Sequence, residues 1–315
     1  MKNRYYVLAV CLLSAVLLRA EIYYVTTTGT GDGSSWERAS GDLNTALFQA
    51  ESGDEIWIAA GTYRTTNNED RKVSFAIPSG VALYGGFEGN ETEREQRNFT
   101  RNLTILSGEI GGPEASDNSY NVVFLYNADE QTRLDGFVIS GGNANGMGNP
   151  GERARCGGGL YNFGADGLYS RPRIVNCRFV NNRAHDGAAV YNNGAGGDAG
   201  AVFEQCHFEG NVARLDGGAV YNDGRRGGIC TPEFTSCTIS GNQAGYGGAM
   251  VNFGSKGIST PVLVQCTLEN NRASVRGGAM YNVGSNGSAA ATLTACVLQD
   301  NRSKTGPAIA GNETK

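Results

Sequence analysis

The sequence predicts an all-β fold, a right-handed parallel β-helix (β-solenoid) with a short N-terminal capping helix. A fixed period carries this prediction: five cysteines lie 29, 31, 29 and 30 residues apart, and six asparagines step by 30 residues each time. The cysteines are Cys177, Cys206, Cys237, Cys266 and Cys296, and the asparagines are Asn162, Asn192, Asn222, Asn252, Asn282 and Asn312. Each period is one coil, and the general rule for parallel crossovers predicts right-handed winding.

Strand-type alternation is the second observation behind the fold. Apolar residues occupy every second position from Val262 to Leu268, and glycine-rich turns such as Gly277-Gly278 separate the strands. Equivalent residues of successive coils would then lie one strand spacing, about 4.8 Å, apart. Stacked asparagine amides are expected to hydrogen-bond from coil to coil. Asparagine also tolerates the left-handed backbone that a sharp corner requires.

The periodic cysteines are predicted to form an interior ladder of small apolar side chains rather than disulfides. Their Cβ atoms would lie about one strand spacing apart, beyond the roughly 3.5 to 4.5 Å that a disulfide prefers. Cys156 and Cys230 fall outside the ladder, in different turns, and are not expected to meet. A linear stack also lacks the tetrahedral convergence of a metal site, so no metal or other cofactor is predicted.

The first 20 residues have the pattern of a signal peptide. Lys2 and Arg4 form a basic start, residues 7–18 are an apolar stretch too short to span a bilayer, and Ala20 is a small residue at the expected cleavage site. Cleavage near Ala20 would leave 23 basic and 31 acidic residues, a net charge of −8. An acidic exported chain is a poor candidate for binding nucleic acid.

Residues 21–117 are predicted to form an N-terminal cap with irregular first coils. Leu43, Ala46 and Leu47 fall on one helical face there, with Ser40 or Asp42 as the candidate N-cap. Such a helix is expected to cover the apolar end of the solenoid.

Residues 118–315 are predicted to be the regular coils, of about 30 residues each. A loop, residues 145–155, interrupts the first regular repeat. Shorter insertions follow Asn192 and its equivalents, and are expected to line one side of the solenoid.

Two sets of motifs resemble exported β-helix proteins. The Phe-x-x-Asn of Phe179–Asn182 and the Gly-Gly-Ala-hydrophobic run of Gly217–Val220 are similar to the repeat motif of chlamydial polymorphic outer-membrane proteins. The front end, with Gly31–Trp36 and Gly53–Tyr63, resembles right-handed β-helix repeat proteins of the pectin-lyase-like superfamily. The resemblance implies the same fold. It also implies the adhesin role of those relatives, as a surface-exposed binding solenoid.

The second resemblance implies an enzyme as the alternative, because the superfamily includes pectate lyases and polygalacturonases that act on acidic polysaccharides. Such chemistry needs carboxylates that hold Ca²⁺ beside a basic residue, or paired acids for glycoside hydrolysis. The best column precedes the glycine pair and contains Asp186, Asp216, Tyr246 and Arg276, with Arg214 expected nearby. The competing structural interpretation is a solvated corner where aspartate precedes glycine for turn chemistry.

The sequence thus favours a non-catalytic, adhesin-like binding protein that is secreted or held at the cell surface or outer membrane. Under that hypothesis no catalytic residue is assigned. Asp186, Asp216 and Arg214 are the candidates under the alternative, which would use Ca²⁺. The expected partner is a polysaccharide or a host or cell-surface protein. The final repeat copy, residues 291–312, is the most degraded, which predicts exposed strand edges and weak end-to-end self-association.

Overall fold

The computed structural model describes residues 20–112 and 114–311, which form a parallel β-helix. Across these residues, 36 strands make up five sheets, and neighbouring strands of each sheet pair in parallel. A regular coil visits the sheets in a constant order, which we number I to V. The predicted all-β solenoid is confirmed.

The strands are given sheet by sheet in chain order. Sheet I consists of Ile22–Val25, Glu55–Ala59, Ala82–Phe87, Arg133–Asp135, Arg173–Val175, Val202–Glu204, Glu233–Thr235, Val262–Val264 and Thr292–Thr294. Sheet II consists of Gly61–Arg64, Thr104–Ser107, Phe137–Ser140, Arg178–Val180, His207–Glu209, Thr238–Ser240, Thr267–Glu269 and Val297–Gln299. Sheet III consists of Asn143–Ala144, Arg183–Asp186, Val212–Asp216, Gln243–Tyr246, Arg272–Arg276 and Arg302–Ser303.

The remaining two sheets complete each coil. Sheet IV consists of Phe75–Ile77, Val123–Tyr126, Leu160–Phe163, Val190–Asn193, Val220–Asp223, Met250–Phe253, Met280–Val283 and Ile309–Gly311. Sheet V consists of the two-residue strands Tyr169–Ser170, Asp198–Ala199, Ile229–Cys230, Ile258–Ser259 and Ser288–Ala289. Sheet V is built from the short insertions that follow the asparagine column. These segments line one side, as expected, and they are ordered by hydrogen bonds between coils rather than being simple loops.

Helix α1, Leu43–Gln49, packs against the first strands as predicted. Of the two N-cap candidates, the structure uses Asp42, whose carboxylate accepts a hydrogen bond from the Asn44 amide at 3.0 Å. The helix buries Leu43 and Leu47 in the core, so it covers the end of the first coils. Three single-turn 3₁₀ helices also occur among the described residues: Trp36–Arg38, Arg94–Gln96 and Ala115–Asp117.

The inward positions form one continuous apolar core from Val25 to Met280. Phe179 stacks on Phe208 of the next coil, with ring centroids 5.0 Å apart and planes at 4°. Burying such a side chain stabilises the fold by about 1.5 to 3 kcal/mol. The cysteine ladder lies in this core, and the seven cysteines in the described part of the chain are free thiols.

Two asparagine ladders run through the solenoid. In the turn between sheets II and III, each Nδ2 donates to the next Oδ1 at 2.9 to 3.1 Å. In sheet IV the same bond measures 2.8 to 3.2 Å. The first ladder contains Asn182, Asn211, Asn242, Asn271 and Asn301, and the second contains Asn162, Asn192, Asn222, Asn252 and Asn282. Asn312 lies outside the described residues.

The left-handed backbone of the turn falls one residue before the first ladder, not on the ladder asparagines as expected. Asn181 has a φ of 55°, Gly210 a φ of 64° and Asn270 a φ of 55°. The preceding residue reverses the chain direction, and the ladder asparagine keeps ordinary backbone geometry while its amide points inward. One residue of the corner therefore adopts the left-handed backbone, and the next residue supplies the buried amide.

The predicted signal peptide, residues 1–19, lies outside the described part of the chain, which begins at Ala20. Within that part, no helix is both long and apolar enough to cross a membrane.

We predict that Asn222→Leu destabilises the protein. Asn222 accepts from Asn192 and donates to Asn252, both at 2.9 Å. The substitution leaves a buried donor and a buried acceptor without partners, so the free energy of unfolding should fall by about 1 to 3 kcal/mol. Urea denaturation measures this change, with the exposed Asn67→Ala as control. Equal midpoints for the two variants would show that the ladder does not stabilise the fold.

We also predict that reducing agent leaves stability unchanged. The described cysteines form no disulfide, so dithiothreitol has no cross-link to break among them. Melting temperatures measured by calorimetry with and without dithiothreitol should coincide. A clear fall in melting temperature would contradict the free-thiol assignment.

Candidate functional site

The column proposed from the sequence is in register on sheet III. Asp186 pairs with Asp216, Asp216 with Tyr246, and Tyr246 with Arg276. Cys156 forms an isolated bridge to Asp186 from the preceding coil. The two aspartates are therefore neighbours on adjacent coils, as predicted.

The Asp186 side chain is covered by the chain around residues 145–156. Only 7% of its surface is exposed, and the Cys156 thiol lies 3.9 Å from its Oδ2 atom. The backbone amide of His185 donates to the Arg155 carbonyl at 2.8 Å, which fixes this segment on sheet III. Burial raises the pKa of Asp186 to about 7, and the negative charge of Asp216 adds to the effect. The carboxyl group thus exchanges its proton near neutral pH inside the protein.

Arg214 lies on the strand that carries Asp216, and its side chain is exposed. Partial burial is the main cause that lowers the pKa of His185, and the charges of Arg155 and Arg214 lower it further. The positive charge of the exposed Arg214 therefore disfavours protonation of His185. Asp186 instead faces a buried thiol, so the three candidate residues do not share one accessible surface.

Acidic, histidine and cysteine side chains are the groups of this chain that could hold a metal ion. Within residues 20–112 and 114–311, no group of three or more of them is arranged to hold a metal ion.

A second candidate site lies on the outer face of sheet IV. Alternation along its strands points Leu160 and Asn162 into the solenoid, and Tyr161 and Phe163 outward. Tyr126 pairs with Phe163, which pairs with Asn193 in the next coil. Outward side chains of consecutive coils therefore form columns on this face.

Between this face and residues 149–153 lies a groove with a volume of about 570 Å³. Its floor contains four aromatic rings, which we call the aromatic patch: Phe124, Tyr126, Tyr161 and Phe163. Tyr126 and Phe163 are nearly parallel, at 8°, with centroids 5.6 Å apart, and the other neighbouring rings are separated by 6.2 to 6.3 Å. Tyr126 is 53% exposed. Phe124 and Phe163 are partly exposed, whereas Tyr161 is buried, so the solvent-facing part of the patch is formed mainly by Tyr126 and Phe163.

Hydrogen bonds hold the groove wall in place. The Tyr161 hydroxyl donates to the Gly151 carbonyl at 2.5 Å and accepts from Asn193 Nδ2 at 2.7 Å. The Arg153 guanidinium lies 3.8 Å from the Phe124 ring centroid and donates to Ser74 Oγ at 2.6 Å. Burial lowers the pKa of Arg153, although an arginine remains charged at physiological pH. The wall is therefore preorganised against the sheet.

Charged side chains at the far end of the groove are paired. Asp223 is fully buried and accepts from Arg225 at 2.7 Å and from the Tyr191 hydroxyl at 2.7 Å. Asp166 and Arg226 form an exposed ion pair at 3.5 Å. The groove thus combines an aromatic floor with a charge-balanced polar rim.

Sequence reasoning missed this groove. The repeated tyrosine was interpreted only as part of the fold motif. The signal was present, because a hydrogen-bonded column of asparagine amides is best placed inside the solenoid, and strand alternation then points the preceding tyrosine outward. The groove wall could not be found in this way, since it comes from a non-repeating loop.

Comparisons with known proteins give only distant similarity. No family model and no curated protein matches this chain. The pectate lyase Pel9A is similar with a TM-score of 0.43 and 11% identity, over 91% of this chain and 78% of that one. A rhamnogalacturonan lyase gives a TM-score of 0.38 and 15% identity, over 92% and 65% of the two chains. A 1,3-α-1,4-β-D-galactose-4-sulfate-3,6-anhydro-D-galactose-2-sulfate 4 galactohydrolase gives 0.39 and 13%, over 85% and 62%. This chain therefore spans less than two thirds of the second and third proteins.

We predict that Asp186 makes stability depend on pH. Its pKa is about 7 in the folded protein, against about 3.9 in an unfolded chain. Between these values the folded state keeps a proton that the unfolded state has lost, so this contribution is present at low pH and is lost as the pH rises through 7. Asp186→Asn stays uncharged and should gain up to about 4 kcal/mol relative to wild type over this interval.

Urea denaturation at several pH values measures this difference. The exposed Asp166→Asn is the matched control and should follow the wild-type pH dependence. Parallel stability curves for wild type and Asp186→Asn would contradict the assignment.

Proposed function

We propose that the protein is exported and works at a surface or outside the cell as a non-catalytic, adhesin-like binding protein. Its ligand site is the groove on the outer face of sheet IV. The solvent-facing rings of the aromatic patch, Tyr126 and Phe163, beside a fixed wall carry this proposal. Large aromatic side chains and arginines supply most of the binding energy at many recognition sites.

The scaffold supports this role physically. The patch residues are fixed by strands that pair on both sides, and Tyr161 is hydrogen-bonded to the wall. Ligand binding would therefore cost little conformational entropy, because the site is already ordered. Tyr126 is more than half exposed, so its apolar ring surface becomes buried only when a ligand binds.

Export and surface location belong to the same proposal. They are supported by the basic start, apolar stretch and small residue of positions 1–20, and by the motif resemblance of Phe179–Asn182 and Gly217–Val220. A polysaccharide or a protein of a host or cell surface is the kind of partner that such a location offers.

The alternative function is a lyase or glycoside hydrolase that acts on acidic polysaccharide through Asp186, Asp216 and Arg214. One observation favours it: a carboxyl pKa of about 7 suits a general acid. The 7% exposure of Asp186 weighs against it, because a general acid must reach the bond that it protonates. We therefore prefer the binding function.

Incubation with polygalacturonate and with neutral plant polysaccharides, with and without Ca²⁺, tests the choice between the two functions. We expect retarded migration of the protein in native gels that contain at least one of these polysaccharides, with no new reducing ends and no ultraviolet absorbance from unsaturated products. Phe163→Ala should abolish the retardation, because it removes one ring of the aromatic patch. Turnover that is lost in Asp216→Asn would instead establish the enzyme.

A further inference from the structure

The groove continues beyond its wall toward the N-terminal cap. Phe124 and Tyr126 line both the groove and a second depression, of about 650 Å³, between sheet IV and helix α1. Pro78 and Phe48 contribute to the second depression, and the Phe48 side chain is 92% exposed. The two depressions meet at the rings of Phe124 and Tyr126, and we call the two together the trough.

The trough runs along the solenoid axis. Its exposed floor uses outward residues from three consecutive strands of sheet IV, Ala76, Tyr126 and Phe163, whereas Asn193 and Asp223 on the next two strands are buried. At a spacing of about 4.8 Å the three strands span about 10 Å, and the exposed Arg226, which follows the strand of Asp223, extends the lining further along the axis. An elongated ligand that lies parallel to the axis fits this shape better than a compact one.

The surfaces that line the trough match a pyranose ring. Tyr126 and Phe163 of the aromatic patch offer apolar ring surface, since Tyr161 is buried and Arg153 covers the Phe124 ring. The exposed rim of Asn149, Asp166 and Arg226 offers hydrogen-bond donors and acceptors. A sugar ring has the complementary arrangement, with apolar C–H faces and hydroxyl groups around its edge. Binding sites commonly combine an aromatic lining with a few polar groups that orient the ligand.

The charges of the trough indicate an uncharged ligand. Three arginines and three acidic residues line the groove: Arg153, Arg225, Arg226, Glu152, Asp166 and Asp223. No charged residue lines the second depression among the described residues. The whole chain carries a net charge of −5, so neither the trough nor the protein attracts a polyanion.

We infer that the trough binds a linear, uncharged oligosaccharide that lies along the solenoid axis. One sugar ring packs on Tyr126 and Phe163, the rim groups bind its hydroxyls, and a further ring reaches Phe48. The spacing between adjacent coils is close to the length of one sugar residue in an extended chain. Consecutive sugar residues would therefore lie over consecutive coils. This inference rests on the proposed binding function and specifies its ligand class.

Isothermal titration calorimetry with hexasaccharides tests the inference. The probes are cellohexaose, xylohexaose and mannohexaose, which are uncharged, and hexagalacturonate, which is anionic. At least one uncharged probe should bind more tightly than hexagalacturonate, with an affinity that changes little between low and high salt. Tyr126→Ala and Phe48→Ala should each weaken that binding by about tenfold or more.

Tyr169→Ala is the matched control, because Tyr169 is a partly exposed tyrosine on sheet V, outside the trough. It should bind as wild type does. Tight, salt-sensitive binding of hexagalacturonate alone, if lost in Tyr126→Ala, would overturn the uncharged class but leave the binding function intact. Failure of every uncharged probe to bind, or equal binding by the Tyr126 and Tyr169 variants, would also overturn the inference. The proposed function itself fails separately, through polysaccharide turnover.

Discussion

Coil-to-coil register is the constraint on which the rest of this structure depends. Each coil must place its side chains directly over those of the preceding one, because a slip of one residue would exchange the inward and outward faces of every strand. The asparagine ladders oppose such a slip. Each buried amide has its partner only when its neighbour is in register, as between Asn192 and Asn222 at 2.9 Å. The penalty for an unpaired buried amide applies at every step of the ladder.

The same register builds the candidate site. Because Asn162 points inward, Tyr161 and Phe163 point outward, and the pairing of Phe163 with Tyr126 extends their surface across two coils. The repeat alone would give a regular lateral face. The non-repeating loop turns one part of that face into a groove, and it covers Asp186 at the same time. Repeats thus provide the surface, and a single insertion decides where on that surface a ligand can bind.

Much of the fold could be predicted from the sequence, since periodic patterns encode contacts between coils. The period predicted the solenoid, the stacked asparagines and the buried cysteines. One apolar face predicted the capping helix, with Ser40 and Asp42 both left as N-cap candidates. The aligned aspartates were also accessible, but the burial of Asp186 was not, because it comes from the single loop that precedes Cys156. Sheet V was missed because strands of two residues are too short to show alternation. The left-handed residue lies one position before the ladder asparagine, on Asn181 in one coil and on Gly210 in the next. Asparagine and glycine both tolerate that backbone, so residue type alone does not separate the two adjacent positions.

The ladders also give the solenoid a net dipole along its axis. Along both columns the bonds between neighbouring amides all run from Nδ2 to the Oδ1 on the C-terminal side, so the amide dipoles are aligned and add from coil to coil, as peptide dipoles do in a helix. In the first ladder the other Nδ2 hydrogen donates to a backbone carbonyl of the preceding coil, as from Asn211 to Phe179. The N-terminal side of the sheet IV column accordingly presents an oxygen, Asn162 Oδ1, and the Ser170 hydroxyl donates to it at 2.6 Å. The two faces of any coil are therefore chemically different. For the ladder to continue, a coil joined on one face must supply an acceptor and a coil joined on the other a donor, which favours head-to-tail extension of the stack.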